Sequence, residues 1–339
     1  MTSSVPFARI DPSAVPSFTL STGARIPAIG LGTFGSDAIP PATVAATVRR
    51  AVEGGYRHID CASVYGNERE IGDAPTDLLT RRIVARQDLW ITSKVWNDMH
   101  RQIGASCRTT LSNLRLDHLD LFLVHWPFPN YHPPGCDVHT RNPNARPYIH
   151  DEFMQTWAQM ERLVEEGLVR MIGTSNMTVP KLDGVLRDAH IRPACNEMEL
   201  HPHFQQPALF AFCMQHGVQP IAYCPLGSPG RPERDRTPED TVDLEDPVLV
   251  AIANEAGITP AQAALRWSIQ RGSIPIPFSV NHFMDNLQAA VVPPLSEDAM
   301  QRIARIDRNC RLIKGQVFLW KEDQTWEDLW DIRGTITPA

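Results

Sequence analysis

The feature of this sequence that most restricts its fold is an alternation of strand-like and helix-like segments, repeated eight times. Strands are expected near residues 29–31 and over 56–60, 89–95, 119–125, 169–175, 193–199, 219–225 and 273–277. Helices are expected over 41–55, 66–80, 103–116, 152–166, 179–188, 205–217, 246–256 and 260–271 and within 296–307. Neighbouring parallel strands need a connection of about a dozen residues, so strands separated by helices indicate a parallel sheet.

The number of repeats decides between two parallel architectures. Eight units close a barrel, whereas five or six would favour an open doubly wound sheet. No GxGxxG motif follows the first strand, which argues against a dinucleotide-binding Rossmann fold. We therefore predict an α/β fold with a single (β/α)8 TIM barrel domain over residues 1–339, preceded by a short N-terminal β-hairpin at 18–28.

Two segments fall outside this alternation. Residues 127–150 form a long loop after the fourth strand, and residues 310–339 form an extended tail that carries Trp320, Trp326 and Trp330. We expect both segments to lie over the mouth of the barrel or to pack on its side, because long loops run over the surface of a rigid scaffold.

Charge and composition exclude several classes of function. The net charge is −7 and no basic block is present, which argues against nucleic acid or an anionic membrane as partner. The N-terminus lacks a continuous apolar stretch, so neither a signal peptide nor a membrane span is expected. Seven cysteines without a CxxC pair favour reduced thiols in a cytoplasmic protein over a disulfide or zinc framework. The expected partner is a small molecule, and the expected state is a monomer or a weak homodimer.

Four ionisable side chains stand at or near the ends of strand-like segments. Asp60 closes YRHID, Tyr65 follows five residues later, Lys94 closes LWITSK and His125 closes LDLFLVH. In a (β/α)8 barrel the carboxyl ends of all strands open onto one face, so we expect these groups to converge. A carboxylate, a phenol, an amine and an imidazole in one pocket indicate proton transfer at a carbonyl or an alcohol.

Motifs in a fixed order around these residues resemble the aldo-keto reductase superfamily, from about residue 18 to residue 310. They are G-T at 32–33, R-H-I-D-x-A-x-x-Y-G-N-E at 57–68, S-K-x-W at 93–96, H-W-P at 125–127, G-x-S-N at 173–176, H-P at 201–202, Y-x-P-L-G-S at 223–228 and E-D-P at 245–247. The resemblance implies a (β/α)8 barrel, a nicotinamide cofactor bound without a Rossmann domain, and reversible carbonyl reduction. The catalytic tetrad of the family falls on the four ionisable residues named above.

The side chains themselves explain this chemistry. Hydride arriving at a carbonyl carbon leaves negative charge on the oxygen, which needs a proton donor. A free phenol has a pKa of about 10, and a nearby ammonium lowers it. We therefore expect Tyr65 to be the general acid in reduction and the base in oxidation. Lys94 is expected to tune Tyr65, Asp60 to anchor Lys94, and His125 to position the carbonyl oxygen.

The resemblance also implies a cofactor site along the strand ends. Ser175 and Asn176 would hold the nicotinamide carboxamide, and Tyr223 would stack on its ring. Glu197 stands where relatives commonly have Gln, so it lacks the amide donors. The full expected set is Gly32, Thr33, Ser175, Asn176, Glu197, Tyr223, Leu226, Ser228, Ile276, Phe278, Ser279, Val280, Asn281, Asp285 and Asn286.

The choice between NADP(H) and NAD(H) depends on the segment IPFSVNHFMDN at 276–286. NADPH-binding relatives typically show I-P-K-S followed by an Arg, whereas Phe278 replaces the Lys here and no Arg follows before Asp285. A 2′-phosphate therefore loses its charge-assisted partners. Family frequency favours NADP(H), and local electrostatics favour NAD(H) or dual use; NADP(H) is narrowly favoured.

Substrate and rival functions complete the prediction. Phe34, Trp96 and Trp126 are expected to wall the substrate pocket. Aldoses, small aldehydes and larger ketones or secondary alcohols all remain open. One alternative is a cofactor-sensing regulatory barrel with little turnover, although an intact tetrad argues against it. The pair His201-x-His203 resembles a metal ligand pair, but no acidic partner stands at matching spacing and no metal is expected.

Overall fold

Eight strands form one parallel sheet whose order follows the order of the chain. The computed structural model describes residues 8–35, 38–129 and 145–338. The strands are β3 (Leu31–Gly32), β4 (His58–Asp60), β5 (Trp90–Val95), β6 (Leu119–Val124), β7 (Val169–Ser175), β8 (Cys195–Glu199), β9 (Gln219–Tyr223) and β10 (Ile274–Pro275). The N–H groups of Gly30 and Gly32 donate to the carbonyls of Pro275 and Pro277 at 3.0 and 3.1 Å, which joins the first strand to the last. The predicted (β/α)8 barrel is thus confirmed.

The N-terminal hairpin covers the end of the barrel where the strands begin. It consists of β1 (Ser17–Thr19) and β2 (Arg25–Pro27), paired antiparallel. Ile26 is fully buried in a cluster that includes Trp90 and Cys195, the first residues of β5 and β8. The opposite end of the barrel, where the strands finish, is left for the candidate site.

Helices follow the strands and form the outer layer. They are α1 (Pro41–Gly54), α2 (Glu68–Thr80), α3 (Ile103–Leu114), α4 (His150–Glu165), α5 (Val179–Asp188), α6 (Pro207–Gln215), α7 (Pro247–Ala256), α8 (Pro260–Arg271), α9 (Phe283–Gln288), α10 (Glu297–Ala304) and α11 (Trp326–Leu329). Local sequence explains several boundaries: Thr259 and Gln262 form a capping box at the start of α8, and Ser296 caps α10. Within the described ranges, no single helix is both long enough and apolar enough to cross a membrane. Helices α7 and α8 together reach the required length and apolarity, but the pair is bent by 89°.

Several predicted boundaries were wrong, and backbone chemistry explains some of them. The sixth predicted strand begins at Cys195 instead of residue 193, and the eighth is reduced to Ile274–Pro275. Proline lacks the N–H that a regular strand donates, which favours strand ends near Pro193 and Pro277, although Pro220 and Pro275 are accommodated within β9 and β10. The first strand lies at Leu31–Gly32, one residue beyond the expected end, and α9 and α11 were not predicted.

The C-terminal tail reaches both the mouth and the side of the barrel. Residues 312–318 line the central cavity. Further on, Asp331 forms a buried ion pair with Lys181 of α5 and accepts a hydrogen bond from Thr178 Oγ1 at 2.5 Å. Residues 312–318 of the tail therefore lie at the mouth of the barrel, and the segment around Asp331 packs on its side, so both expected positions are occupied. The prediction for the loop at 127–150 concerns mainly residues 130–144, which lie outside the described residues.

Candidate active site

The four ionisable residues converge because the strands that carry them are neighbours in parallel register. Asp60 ends β4, Lys94 lies near the end of β5, and His125 follows β6 directly. Tyr65 ends a short 3-10 turn that follows β4. Asp60, Tyr65 and His125 line one cavity of about 770 Å³, a size typical of small-molecule sites. Lys94 lies behind them and is fully buried.

Lys94 is the positive centre of this group. Its ammonium forms an ion pair with Asp60, donates to the Cys61 carbonyl at 3.1 Å and lies 3.2 Å from Glu197 Oε1. Burial disfavours the ammonium, but the acidic side chains beside it, Asp60 first and then Glu197, outweigh burial and raise the pKa of Lys94 well above its ordinary value. Lys94 therefore stays charged at any pH at which the protein would be assayed.

Tyr65 faces this cation and remains a protonated phenol. The Lys94 ammonium is 5.6 Å from the centroid of the Tyr65 ring. Burial raises the pKa of Tyr65 above its ordinary value of about 10, and this effect exceeds the opposing effect of Lys94. The expected acidification by Lys94 is therefore present but smaller than the effect of burial. A phenol that holds its proton at neutral pH is suited to donate it.

His125 completes the polar wall as a neutral imidazole. Its ring centroid lies 5.9 Å from that of Tyr65 and 5.1 Å from the nearer ring of Trp96. Burial, with a smaller effect of Lys94, lowers the pKa of His125 well below its ordinary value. Its Nδ1 has no hydrogen-bond partner among the described residues. A neutral ring can therefore donate one hydrogen bond toward the cavity or accept one, according to its tautomer.

Aromatic side chains wall the rest of the cavity beside the tetrad. Phe34, Trp96 and Trp126 all line it, as expected from the sequence. Phe318 from the tail joins them, with its ring centroid 4.7 Å from Trp126. Gly315 allows this approach, because its φ is +75° and a Cβ there would lie 3.2 Å from the Trp126 ring. Sequence reasoning placed the tail near the rim but did not identify Phe318, since the tail shows no periodic pattern.

Most residues expected to bind the cofactor line the same cavity. Those that do are Gly32, Thr33, Asn176, Glu197, Tyr223, Leu226, Ser228, Ile276, Phe278, Ser279, Val280, Asn281 and Asn286. Ser175 and Asp285 do not line it: Ser175 is buried beneath Asn176, and Asp285 faces His282 at 3.2 Å on the exposed surface. One continuous cleft thus joins the tetrad to both segments expected to hold the dinucleotide.

The geometry within the cleft fits a ring-and-amide ligand beside the tetrad. Tyr223 donates its hydroxyl to Asn176 Oδ1 at 2.6 Å, and Asn176 Nδ2 donates to the His125 carbonyl at 2.9 Å. Asn176 adopts a left-handed conformation with φ +59° to make these bonds. Glu197 lines the cleft, and its Oε2 atom is buried without a hydrogen-bond partner in the described part of the chain. A flat polar ligand in this part of the cleft would meet the ring of Tyr223 and the polar side chains of Asn176 and Glu197.

The part of the cleft formed by residues 278–282 carries no lysine or arginine. Of the described residues that line the cavity, Lys314 alone is of these two types, and it belongs to the tail. Its ammonium donates to Thr237 Oγ1 at 2.6 Å. The polar side chains that residues 278–282 bring to the cavity are therefore those of Ser279, Asn281 and His282.

A second polar cluster supports the site from the side. His201, considered for metal binding, has its ring nitrogens 2.8 Å from Asp243 and 3.0 Å from Glu199. Glu199 also accepts the N–H groups of Leu312 and Ile313, which line the cavity. Burial opposes a charge on His201, but its hydrogen bonds to Asp243 and Glu199 prevail and raise its pKa to about 9. Within the described ranges, no group of three or more His, Cys, Asp or Glu side chains is arranged to hold a metal ion.

Comparisons with known proteins agree with this geometry. A sequence profile of the Aldo/keto reductase family matches residues 28–308. An aldo/keto reductase of Synechocystis is 40% identical and aligns over 93% of this chain and 96% of its own length. Aldo-keto reductase family 1 member A1-A of Danio rerio is 41% identical and aligns over 88% of this chain and 91% of its own length.

Solved structures with the same architecture are also similar in sequence. The crystal structure of a Bombyx mori aldo-keto reductase in complex with NADP superimposes with a TM-score of 0.78 at 31% identity, covering 88% of this chain and 95% of that one. The aldose reductase of Schistosoma japonicum gives a TM-score of 0.77 at 36% identity, covering 89% and 96%.

Proposed function

This chain belongs to the aldo/keto reductase family, and we propose that it catalyses reversible reduction of an aldehyde or ketone with a nicotinamide coenzyme. The observation that carries the proposal is the position of the Tyr65 phenol against the buried Lys94–Asp60 ion pair, at the wall of a ligand-sized cleft. The intact tetrad does not favour the alternative of a regulatory barrel with little turnover.

The residues of the chain supply proton transfer and positioning. A bound nicotinamide coenzyme would supply the hydride. Tyr65 donates its proton to the carbonyl oxygen as negative charge develops there, and the Lys94 ammonium stabilises the phenolate that remains. Asp60 keeps Lys94 charged and in place. His125, as a neutral imidazole, orients the carbonyl oxygen by a hydrogen bond. In alcohol oxidation the Tyr65 phenolate accepts the proton.

The residues that would hold the coenzyme support NADP(H) only in part. Asn176 and Tyr223 would hold the nicotinamide, and the loop with Leu226 and Ser228 would follow the pyrophosphate. The Bombyx mori relative is described in complex with NADP. The lack of Lys and Arg among the described cavity residues at 278–282 predicts that NAD(H) can substitute. We therefore propose NADP(H) as the coenzyme, with weak discrimination against NAD(H).

The walls of the pocket favour an apolar or aromatic carbonyl compound over a sugar. Trp96 packs against His125, and Phe318 joins it to Trp126 in a cluster of aromatic rings that lines the cavity. Screening aldehydes, ketones, aldoses and secondary alcohols with both coenzymes, read by the absorbance of the reduced nicotinamide, would identify the class. We also propose that the chain is a monomer or a weak homodimer, which light scattering over a concentration series would measure.

Replacement of Tyr65 by Phe tests the proposed reaction. Loss of a general acid commonly costs about 10² to 10⁴-fold in rate, so Tyr65→Phe should lose turnover to this extent. Its coenzyme dissociation constant, from fluorescence quenching, should stay near that of the wild type. Phe34→Leu is a matched control, because it alters a wall of the same cavity and leaves the proton donor. A Tyr65→Phe enzyme with wild-type turnover would refute the assignment.

A further inference from the structure

Two buried acids share the single ammonium of Lys94. Asp60 forms the closer ion pair, and Glu197 Oε1 lies 3.2 Å from Lys94 Nζ. The side chains of Lys94, Asp60 and Glu197 are 0%, 1% and 3% exposed. One oxygen of each acid, Asp60 Oδ2 and Glu197 Oε2, has no hydrogen-bond partner within the described ranges. Such unsatisfied buried acceptors are costly and need an explanation.

The charges of this cluster do not balance if both acids are ionised. One ammonium and two carboxylates give a net charge of −1 in a site that water hardly reaches, and an uncompensated buried charge is strongly unfavourable. Both carboxyl groups contact the same ammonium, which brings the two acids close to each other. Like charges at such separation cannot both ionise easily. Burial, and then the Asp60 charge, raise the pKa of Glu197 well above its ordinary value.

The other groups around Glu197 do not supply the missing positive charge. Tyr65 of the turn after β4 and Tyr223 of β9 lie near enough to Glu197 for its charge to raise their pKa values. Cys195 lies on its own strand, and Ser175 of β7 is its register partner. All four are neutral, so in the described part of the chain Lys94 is the one cation facing the two acids.

We propose that Glu197 is an uncharged carboxylic acid that donates a hydrogen bond to the Asp60 carboxylate, and that it is a positioning residue for the Tyr65–Lys94 pair. Asp60 keeps the negative charge because it has the closer contact with Lys94. The shared proton turns one of the two unsatisfied oxygens into a donor for the other.

The consequence for catalysis rests on the proposed function of Tyr65. An uncharged Glu197 leaves the charge of Lys94 balanced by Asp60 alone, so a phenolate forming on Tyr65 meets no second negative charge. An ionised Glu197 would place that charge near the phenolate and weaken Tyr65 as an acid. Glu197→Gln keeps the shape and the neutrality of the protonated acid but cannot ionise.

Infrared difference spectroscopy on the enzyme without coenzyme tests the protonation state directly. The wild-type minus Glu197→Gln spectrum at neutral pH should show a carboxylic acid C=O band that shifts in D₂O. Glu199→Gln is the matched control, because Glu199 is equally buried on the same strand, and hydrogen bonding from His201 lowers its pKa in spite of burial. That control should remove carboxylate bands only. Loss of only carboxylate bands in Glu197→Gln would overturn the proposal.

The pH dependence of reduction tests the positioning role. Wild-type kcat/KM should fall about tenfold per pH unit above the pKa of Glu197, and Glu197→Gln should lack this alkaline limb. Identical alkaline limbs in both enzymes would overturn the positioning role. The infrared result does not depend on turnover, so an active Tyr65→Phe enzyme would refute the proposed reaction while the infrared bands still decided the state of Glu197.

Discussion

The coenzyme preference of the cleft can be changed by placing a cation at residue 278. Phe278 is partly exposed and lines the cleft together with Ser279, Asn281 and His282. Ser279 Oγ already accepts the N–H groups of Asn281 and His282 at 3.3 and 2.9 Å, which holds the loop in place. Phe278→Lys adds an ammonium to this ordered segment without altering its backbone contacts. We expect NADPH to bind more tightly and NADH to bind unchanged.

The exposure of the segment sets the magnitude of this gain. A hydrogen bond to a charged group contributes about 1.5–3 kcal/mol. The side chains of His282 and Asp285 are 73% and 65% exposed, so water and salt screen the new interaction. The lower end of the range applies, about 1.5–2 kcal/mol, which is roughly a 10 to 30-fold decrease in the Kd for NADPH. The gain should shrink as ionic strength rises.

Titration of both coenzymes by fluorescence quenching measures this effect. Phe278→Met is the matched control, because its chain has nearly the length of lysine and no charge. The ratio of the two dissociation constants should shift toward NADPH in Phe278→Lys and stay at the wild-type value in Phe278→Met. Equal ratios in the Lys and Met variants would show that residue 278 does not face a 2′-phosphate.

Two further predictions concern how the surroundings of the site are held. Lys181→Met should destabilise docking of the tail by about 3–5 kcal/mol, because Asp331 is left buried without its cation. The double variant Lys181→Met/Asp331→Asn should recover most of the lost stability, since Asn tolerates the left-handed backbone at Asp331 (φ +48°). Hydrogen exchange of residues 326–338 measures the docking of the tail in both variants. Equal exchange rates in the wild type and the two variants would contradict the expectation. The second concerns His201, whose pKa is raised to about 9 by Asp243 and Glu199 against the effect of burial. A raised folded-state pKa gives stability that is complete below about pH 6.5 and is lost as pH rises through 9, about 3 kcal/mol in total. Urea unfolding from pH 6 to 10 should show this loss in the wild type and not in His201→Gln, and parallel curves would contradict it.

The convergence of the tetrad could be predicted from the sequence because three of its members close strand-like segments and Tyr65 follows the first of them by five residues. Strand ends in a parallel barrel share one face, so Asp60, Lys94 and His125 needed no knowledge of side-chain packing to be grouped. The same logic placed Asn176 and Tyr223 in the cleft.

Other parts of the site depend on contacts that no local pattern encodes. The approach of Glu197 to Lys94 arises across the interior of a closed barrel, where register and side-chain direction together decide which groups meet. Phe318 reaches Trp126 only because Gly315 permits a left-handed turn and a close approach. The spacing His201-x-His203 resembles that of a metal-ligand pair. The contacts of the His201 ring with Asp243 and Glu199 identify it instead as part of a buried ionic cluster.

The two departures from the family pattern lower the positive charge of one cleft, yet their consequences differ because their exposure differs. Phe278 removes a cation from a segment that water reaches, so solvent replaces the lost interaction and the cost falls mainly on discrimination between coenzymes. Glu197 adds an acid where its side chain is 3% exposed, and solvent cannot compensate an added charge there. The barrel can keep such an acid by retaining its proton, as proposed above for Glu197, and the site then carries no uncompensated charge. The loss of one positive charge at Phe278 therefore alters the affinity for the coenzyme, whereas the added acid at Glu197 alters the protonation state of that acid.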